Sequence, residues 1–415
     1  MAKIKKIEAR EILASGGKPT VEAEIELESG ITAKASVPYG ASAGKHEVVV
    51  LVDGDMKRYG GKGVLKAVKN VEEIIGPEIV GMEAEPKRID EKMIAMDGSK
   101  NKGKLGGNAI LAVSMAVARA GAMERKIPLY EYLRQVYGVD DGGQLPRPMV
   151  VMIEGGKHAD KTTDIQEYLV VDLENQSVAD DIRMEMEIYM KLEKILQREG
   201  LGTNVGNEGA FAPSGIVSNE KPLEYLVEAI GAAGYKAGKD AGLAIDAAAS
   251  EFFEDGKYNL RLENRKVEAE EMINIYEGWV KKYPMVSVED GLDEDDWENW
   301  IKMSERLGEI AIIADDLTAT NTERWQKAIK MKAANAILIK LNQAGTVSET
   351  VECCMLAKKH GLMTAPSHRG GGETNDTFMV DLAVAVGSEY IKVGPTRGER
   401  VVKYNRLMEI ERELK

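Results

Sequence analysis

Cysteine is almost absent from the sequence. The 415 residues include two, Cys353 and Cys354, which are adjacent and lie in a predicted helix. Two neighbouring thiols can provide neither a disulfide framework nor the spaced ligands of a zinc site. Because disulfides persist in oxidising compartments, their scarcity favours a reducing one, and we expect a cytoplasmic protein.

Long apolar runs and an excess of positive charge are also missing. No run reaches the roughly 20 apolar residues that span a membrane, and the basic start Met1-Ala-Lys-Ile-Lys-Lys is not followed by a long apolar stretch. The formal net charge of −14 opposes a general affinity for nucleic acid or acidic membranes. We therefore expect neither partner, and an anionic substrate would need a locally basic site.

The sequence does contain a series of short apolar runs, each of which ends in a polar residue. From residue 243 onward these runs alternate with segments that are apolar at helical spacing, such as residues 323–332 and 348–359. Alternating strands and helices predict parallel βαβ units, and this number of units predicts a closed (β/α) barrel. The polar residues that end the runs are Asp246, Glu289, Asp315, Lys340, His368 with Arg369, and Lys392.

The first third of the chain follows a different pattern. Residues 4–12, 20–28 and 31–37 alternate in the manner of antiparallel strands, and helical segments follow them. Clustered Gly, Pro and Asp at residues 137–148 mark a boundary. We predict an N-terminal α+β capping domain (residues 1–137) and a C-terminal barrel domain (residues 145–415), so the fold class is α/β. The barrel domain is expected to open with two antiparallel strands, at residues 148–153 and 164–172.

The strand ends carry a recognisable chemistry. The C-terminal ends of the parallel strands meet at one mouth of a barrel, which would bring Asp246, Glu289 and Asp315 together near Lys340. Carboxylates at close range repel one another unless a cation lies between them, and an all-oxygen ligand set favours Mg²⁺. A lysine beside a divalent cation can lose its proton and act as a base. The spacing predicts metal-assisted proton abstraction. The alternative is that each charged residue is simply the solvated end of a strand.

Two glycine-bearing loops precede these strands. Residues 38–46 are small and include Gly40 and Gly44, a composition that suits a mobile lid, with a plain connector as the alternative. Residues 203–213 are also glycine-rich and carry a single carboxylate, Glu208.

In their order along the chain, these motifs resemble those of the enolases, the phosphopyruvate hydratases. The set covers nearly the whole chain and is therefore far more specific than any single glycine motif. The resemblance implies a barrel of enolase type under an N-terminal cap, Mg²⁺ as cofactor, and a homo-oligomer, dimer or octamer. It also implies a lyase that dehydrates a small anionic substrate, 2-phospho-D-glycerate, to phosphoenolpyruvate. The motifs include Pro19-Thr-Val-Glu, Gln166-Glu, Asn207-Glu-Gly, Glu289-Asp, Asp315-Asp-Leu, Leu338-Ile-Lys-Leu-Asn-Gln and Ser367-His-Arg.

Carried over position by position, the resemblance assigns roles to eleven residues. Lys340 would take the α-proton, and Glu208, with Glu167 beside it, would act as the acid at the departing hydroxyl. The metal ligands would be Asp246, Glu289 and Asp315. The substrate-binding residues would be Lys392 at the carboxylate, Arg369 and His158 toward the phosphate, Gln166 nearby, and His368 in the same pocket.

Several positions around the site depart from the family pattern. Tyr39 stands where enolases carry a lid serine that helps to bind a second Mg²⁺, and the triplet that begins at Gly370 replaces a phosphate-holding serine. Glu154 stands for an Asn, Asn207 for an Asp, and Gly16 for an Arg. The departures leave open an enolase, or a superfamily lyase that acts on a different carboxylic acid through a rebuilt phosphate end. A non-catalytic paralogue is a third alternative, which leaves the retained acid and base unexplained.

Overall fold

The computed structural model describes residues 2–40, 44–140, 144–160, 162–174 and 177–415. In these residues an antiparallel sheet with helices precedes an eight-stranded sheet that curves into a nearly closed barrel. The predicted fold class is therefore confirmed. The division into residues 1–137 and 145–415 stays a prediction.

The N-terminal region is a three-stranded meander covered by helices. Its elements are β1 (Ile4–Ala14), β2 (Lys18–Leu27), β3 (Thr32–Ser36), α1 (Leu65–Asn70), α2 (Gly76–Ile79), α3 (Pro86–Asp97), α4 (Gly107–Arg125) and α5 (Leu129–Tyr137). Alternate residues of β2, such as Val21 and Ile25, are fully buried, as expected for a sheet with one covered face. That face packs on α4, which is buried on nearly all sides.

The described part of the barrel region contains eleven strands. They are β4 (Arg147–Glu154), β5 (Glu167–Asp172), β6 (Ala241–Asp246), β7 (Phe253–Glu254), β8 (Lys257–Leu260), β9 (Arg265–Val267), β10 (Met285–Glu289), β11 (Ala311–Ala314), β12 (Ala336–Ile339), β13 (Met363–Pro366) and β14 (Tyr390–Val393). Strands β7–β9 form a small antiparallel sheet of their own. The other eight follow the order β13–β12–β11–β10–β6–β5–β4–β14. A parallel bridge between Ser367 and Lys392 brings the two ends of this sheet together.

Helices follow most of these strands. They are α6 (Val178–Arg198), α7 (Lys221–Ala232), α8 (Ala269–Lys282), α9 (Trp297–Leu307), α10 (Thr322–Met331), α11 (Leu341–Ala344), α12 (Val347–Lys359), α13 (Phe378–Val386) and α14 (Gly398–Leu414). Side chains of Ser177, Asp296, Asn321 and Thr346 accept a backbone N–H and so cap α6, α9, α10 and α12. Within the described ranges, no helix is both long enough and apolar enough to cross a lipid bilayer.

The barrel interior is filled by alternate residues of its strands. Pairs two apart, such as Met149 with Val151 and Leu169 with Val171, point into one separate buried cluster, together with small residues such as Ala244. The residues between them pack outward against the helices. This alternation is the period of two that a barrel wall requires, and the filled interior leaves the ends of the strands as the place for a site.

Strand β5 runs against both of its neighbours. It pairs antiparallel with β4 and with β6, so that Glu167, its first residue, lies beside Glu154 and Asp246, which end those two strands. The predicted antiparallel start of the barrel is therefore confirmed. Its consequence is that a residue at the beginning of a strand reaches the same mouth as residues at the ends of the others.

Candidate active site

The predicted site residues converge at the mouth of the barrel. Asp246 and Glu289 end β6 and β10, Asp315 and Lys340 directly follow β11 and β12, and Lys392 lies in β14. Ten of the eleven predicted residues line one pocket. The remaining one, Glu289, is 1% exposed and contacts Lys392.

The Lys392 ammonium group lies among three carboxylates. Its Nζ is 2.7 Å from Glu289 Oε2 and 2.9 Å from both Asp246 Oδ2 and Glu167 Oε2. Burial opposes the charge on Lys392, but the surrounding carboxylates outweigh it and hold its pKa well above the ordinary value. Burial and the charge of Asp246 raise the pKa of Glu289 well above its usual range. One cation thus holds three acidic groups together.

Lys340 faces the third predicted metal ligand. Its ammonium group donates a hydrogen bond to Asp315 Oδ2, and Gln343 Nε2 donates to Asp315 Oδ1 at 2.9 Å. Burial lowers the pKa of Lys340, but the Asp315 carboxylate outweighs it, so the pKa lies above its ordinary value. In this arrangement Lys340 keeps its proton. A role as base requires that Asp315 be neutralised.

Another part of the same pocket is built around Glu208. Its Oε1 lies 3.1 Å from Nε2 of His368 and 3.5 Å from Nδ1 of His158, while Oε2 has no hydrogen-bond partner among the described residues. The Gly394 N–H donates to His368 Nδ1 at 3.3 Å, which leaves Nε2 as the protonated nitrogen facing Glu208. Burial raises the pKa of Glu208, but the two histidines outweigh it and hold the pKa well below its usual range.

His158 joins Glu208 to Glu167. Its Nδ1 is 3.2 Å from Glu167 Oε1. Burial lowers the pKa of His158, but Glu208 and Glu167 outweigh it and raise the pKa to about 9. Around neutral pH the His158 ring is therefore a cation between the carboxylates of Glu208 and Glu167.

Sequence reasoning did not assign a role to Glu154, although it marked the position as unusual. Glu154 is fully buried, and its Oε1 accepts hydrogen bonds from the backbone N–H groups of Glu208 (3.0 Å) and Ala210 (2.8 Å). One Glu154 oxygen, one Glu208 oxygen and a His158 ring nitrogen all lie within 4.8 Å of one another. Burial and the charge of Glu208 raise the pKa of Glu154 to about 8.

Arg369 is held by a residue from the N-terminal region. Its Nη2 lies 2.7 Å from Oε1 of Glu47, and both side chains are at most 5% exposed. Glu47 also accepts a hydrogen bond from the Gly44 N–H at 3.0 Å. Periodicity gave no signal for this contact, because the pair is 322 residues apart in sequence. The predicted lid, residues 38–46, includes residues 41–43, which lie outside the described residues.

Comparison with known proteins agrees with this geometry. Residues 4–133 match the family model described as enolase, N-terminal domain, and residues 143–415 match the model described as enolase, C-terminal TIM barrel domain. A curated protein named enolase, from Elusimicrobium minutum (strain Pei191), is 50% identical over 418 aligned residues, which cover 100% of this chain and 97% of that protein.

The chain belongs to the enolase family. The resemblance inferred from the ordered motifs is confirmed, and with it the assignment to an enzyme class, the carbon–oxygen lyases. The roles of the eleven residues stay predictions.

The altered loop of this enolase-family chain is tightly packed where the family has its serine. A Cβ added at Gly370 would lie 2.6 Å from Glu208 Oε1 and 2.7 Å from His158 Nε2, and one at Gly372 would lie 1.9 Å from the Tyr39 carbonyl oxygen. The Tyr39 N–H donates to the Gly372 carbonyl at 2.7 Å. The departures at residues 39 and 370–372 therefore form one packed unit over the acid side of the pocket.

Acidic groups that could hold a metal ion are present at the mouth. Asp290, Asp315 and Asp316 have ligand atoms within 4.8 Å of one another. Backbone N–H groups of residues 315 and 316 already donate to the two oxygens of Asp290, so this carboxylate serves to position the loop that carries Asp315. The predicted ligands Asp246 and Glu289 differ, because their carboxylates pair with the buried ammonium group of Lys392.

Proposed function

We propose that the chain dehydrates 2-phospho-D-glycerate to phosphoenolpyruvate with Mg²⁺ as cofactor. The observation that supports this most directly is that one pocket contains both a candidate base and a candidate acid. Lys340 pairs there with Asp315, and the buried Glu208 lies beside His158 and His368. A base and an acid in one pocket are what the removal of H⁺ and OH⁻ from adjacent carbons requires. The substrate identity rests on the family and on the name of the 50% identical relative.

The donor atoms present suit a divalent cation, although Asp246, Glu289 and Asp315 are not among the described groups of three whose ligand atoms all lie within 4.8 Å of one another. Oε1 of Glu289 is buried and has no hydrogen-bond partner within the described residues, and the ligand set of Asp246, Glu289 and Asp315 consists of carboxylate oxygens, which suit Mg²⁺. When bound there, Mg²⁺ would neutralise Asp315, free Lys340 from its ion pair and stabilise the negative charge that develops on the substrate carboxylate.

Each side chain then has a separate role in the reaction. Lys340, as the neutral amine, takes the α-proton. Lys392, which can turn from the acidic groups to the substrate, pairs with the substrate carboxylate. Glu208, once protonated, gives its proton to the departing hydroxyl, which leaves as water. Arg369 receives the phosphate end when Glu47 is displaced.

Turnover of 2-phosphoglycerate tests the proposal. The purified chain with Mg²⁺ is expected to generate the ultraviolet absorbance of the enol phosphate, and Lys340→Ala is expected to lower the rate by a factor on the order of 10² to 10⁴, as for loss of a general base. A matched control is Lys332→Ala, which changes an exposed lysine at the end of α10. Absence of turnover in the unmodified chain would contradict the proposal.

A second candidate is a lyase of the same superfamily with another carboxylic acid as substrate. The packed triplet at Gly370 and the Glu47–Arg369 pair favour it, because both change or occupy the phosphate end. This alternative predicts no turnover of 2-phosphoglycerate but Lys340-dependent exchange of an α-proton in a different acid. The expected homo-oligomer (dimer or octamer) and the cytoplasmic location stay predictions; analytical ultracentrifugation tests the first.

A further inference from the structure

Glu154 and Glu208 form a buried carboxyl pair. Glu154 is fully buried at the end of β4 and Glu208 is 1% exposed in the adjoining loop. No lysine or arginine of the described residues forms an ion pair with Glu154. A Cβ at Gly206 would lie 2.5 Å from Glu154 Oε2, so the loop backbone closes directly over the carboxyl group.

Glu208 has a role that its surroundings oppose. As the predicted acid it must carry a proton when the hydroxyl leaves, but His368 and His158 favour its charged form. Two carboxyl groups at such close range do not both ionise readily. The partner able to hold a proton at neutral pH is Glu154, which faces Glu208 and His158 within 4.8 Å.

We propose that Glu154 is a positioning residue that shares one proton with Glu208 and so supplies the acid for the departing hydroxyl. The inference rests on the proposed dehydration. During turnover Lys340 accepts the α-proton, and the C–OH bond breaks as Glu208 transfers the pair's proton to the hydroxyl, which forms water. Lys340 then releases its proton to solvent and the pair takes one up, so charge and atoms balance. The proton is shared by coupled titration and not through a direct hydrogen bond, since Oε2 of Glu208 has no hydrogen-bond partner among the described residues.

The groups that face this pair set its titration. From the pocket they are His158 and Glu167, from the loop after β13 His368, from α14 Arg400, and from α6 Tyr189. Burial and Glu208 raise the pKa of Glu154 to about 8. The pair is therefore expected to lose its proton as the pH rises through that range.

The Glu154→Gln variant distinguishes a role of Glu154 in sharing a proton from a role in supporting the loop alone. The glutamine oxygen can still accept the N–H groups of Glu208 and Ala210, but glutamine does not titrate. We expect a fall in kcat of roughly 10- to 100-fold with little change in KM. The alkaline limb near pH 8 is expected to move to lower pH, and exchange of the substrate α-proton with D₂O is expected to persist. Glu199→Gln, at an exposed glutamate after α6, is the matched control.

Other outcomes are equally decisive. An unchanged kcat and pH profile in Glu154→Gln would overturn the inference. An equal loss of α-proton exchange and dehydration without a shift of the pH profile would also overturn it, because that result indicates a purely structural role. If the unmodified chain does not turn over 2-phosphoglycerate, the proposed function fails by itself. Infrared difference spectra then decide about the pair. A protonated-carboxyl band at pH 7 that disappears above pH 8 and is missing in Glu154→Gln supports it, and its absence refutes it.

Discussion

Replacing Lys392 with methionine removes the ammonium group that pairs with Glu167, Asp246 and Glu289. Methionine has a similar length and keeps the packing, so the main loss is electrostatic. Three carboxylates that are at most 5% exposed would then face one another without that cation. Removing one partner of a buried ion pair typically costs about 3–5 kcal/mol, and we expect this loss in the free energy of unfolding at pH 8 without metal.

The pH dependence follows from the same contacts. Lys392 opposes the rise in the pKa of Glu289 that burial and Asp246 cause. Without Lys392 this pKa rises further, so the folded protein binds more protons than the unfolded chain. Stability then falls as the pH rises, and the loss at pH 5 is expected to be smaller than the loss at pH 8. A bound divalent cation opposes the same repulsion; at 100 times its Kd it stabilises the fold by about 2.7 kcal/mol.

Urea denaturation in EDTA and in excess Mg²⁺, at both pH values, provides the assay. Lys239→Met is the control, because the Lys239 side chain is 66% exposed and pairs with Glu174 at the surface, where such a pair contributes at most about 1 kcal/mol. A Lys392→Met loss below about 1 kcal/mol in EDTA at pH 8, or a loss that Mg²⁺ does not reduce, would refute the reasoning.

Two further predictions concern residues away from the metal end. Gly370→Ser is expected to lower both thermal stability and turnover, although it restores the residue type that enolases carry, because its Cβ would lie 2.6 Å from Glu208 Oε1. Gly398→Ser is the control and should have little effect, because there is open space around Gly398. A fully active Gly370→Ser variant would contradict this prediction. Burial raises the pKa of Glu185 well above its ordinary value, so its folded form favours the proton and costs stability as the pH rises. Glu185→Gln should therefore raise the melting temperature at pH 8 but not at pH 4, unlike Glu193→Gln on the same helix; equal gains at both pH values would argue against it.

The parts of the site that lie at strand ends were predictable from the sequence. The apolar runs predict β6 and β10–β14, and the register of parallel strands then brings Asp246 and Glu289 side by side. Glu167 was found through its motif, and the structure adds the reason that it reaches the mouth, which is the reversed direction of β5.

The contacts that could not be predicted join segments far apart in the chain. Glu47 reaches Arg369 from the N-terminal region, and Glu154 supports the Glu208 loop 54 residues later. Neither contact leaves a trace in local periodicity, because it depends on how two regions pack. The protonation of Lys340 was also hidden, since the ion pair with Asp315 is a matter of side-chain position rather than residue type.

The most direct test of the site is exchange of the α-proton of 2-phosphoglycerate with D₂O, followed by NMR in the presence of Mg²⁺. We expect exchange together with product formation in the unmodified chain. In Lys340→Ala both are expected to be lost, while Lys332→Ala keeps both. Exchange that continues at the normal rate in Lys340→Ala would show that another group takes the proton and would contradict the arrangement of base, acid and carboxylates described above.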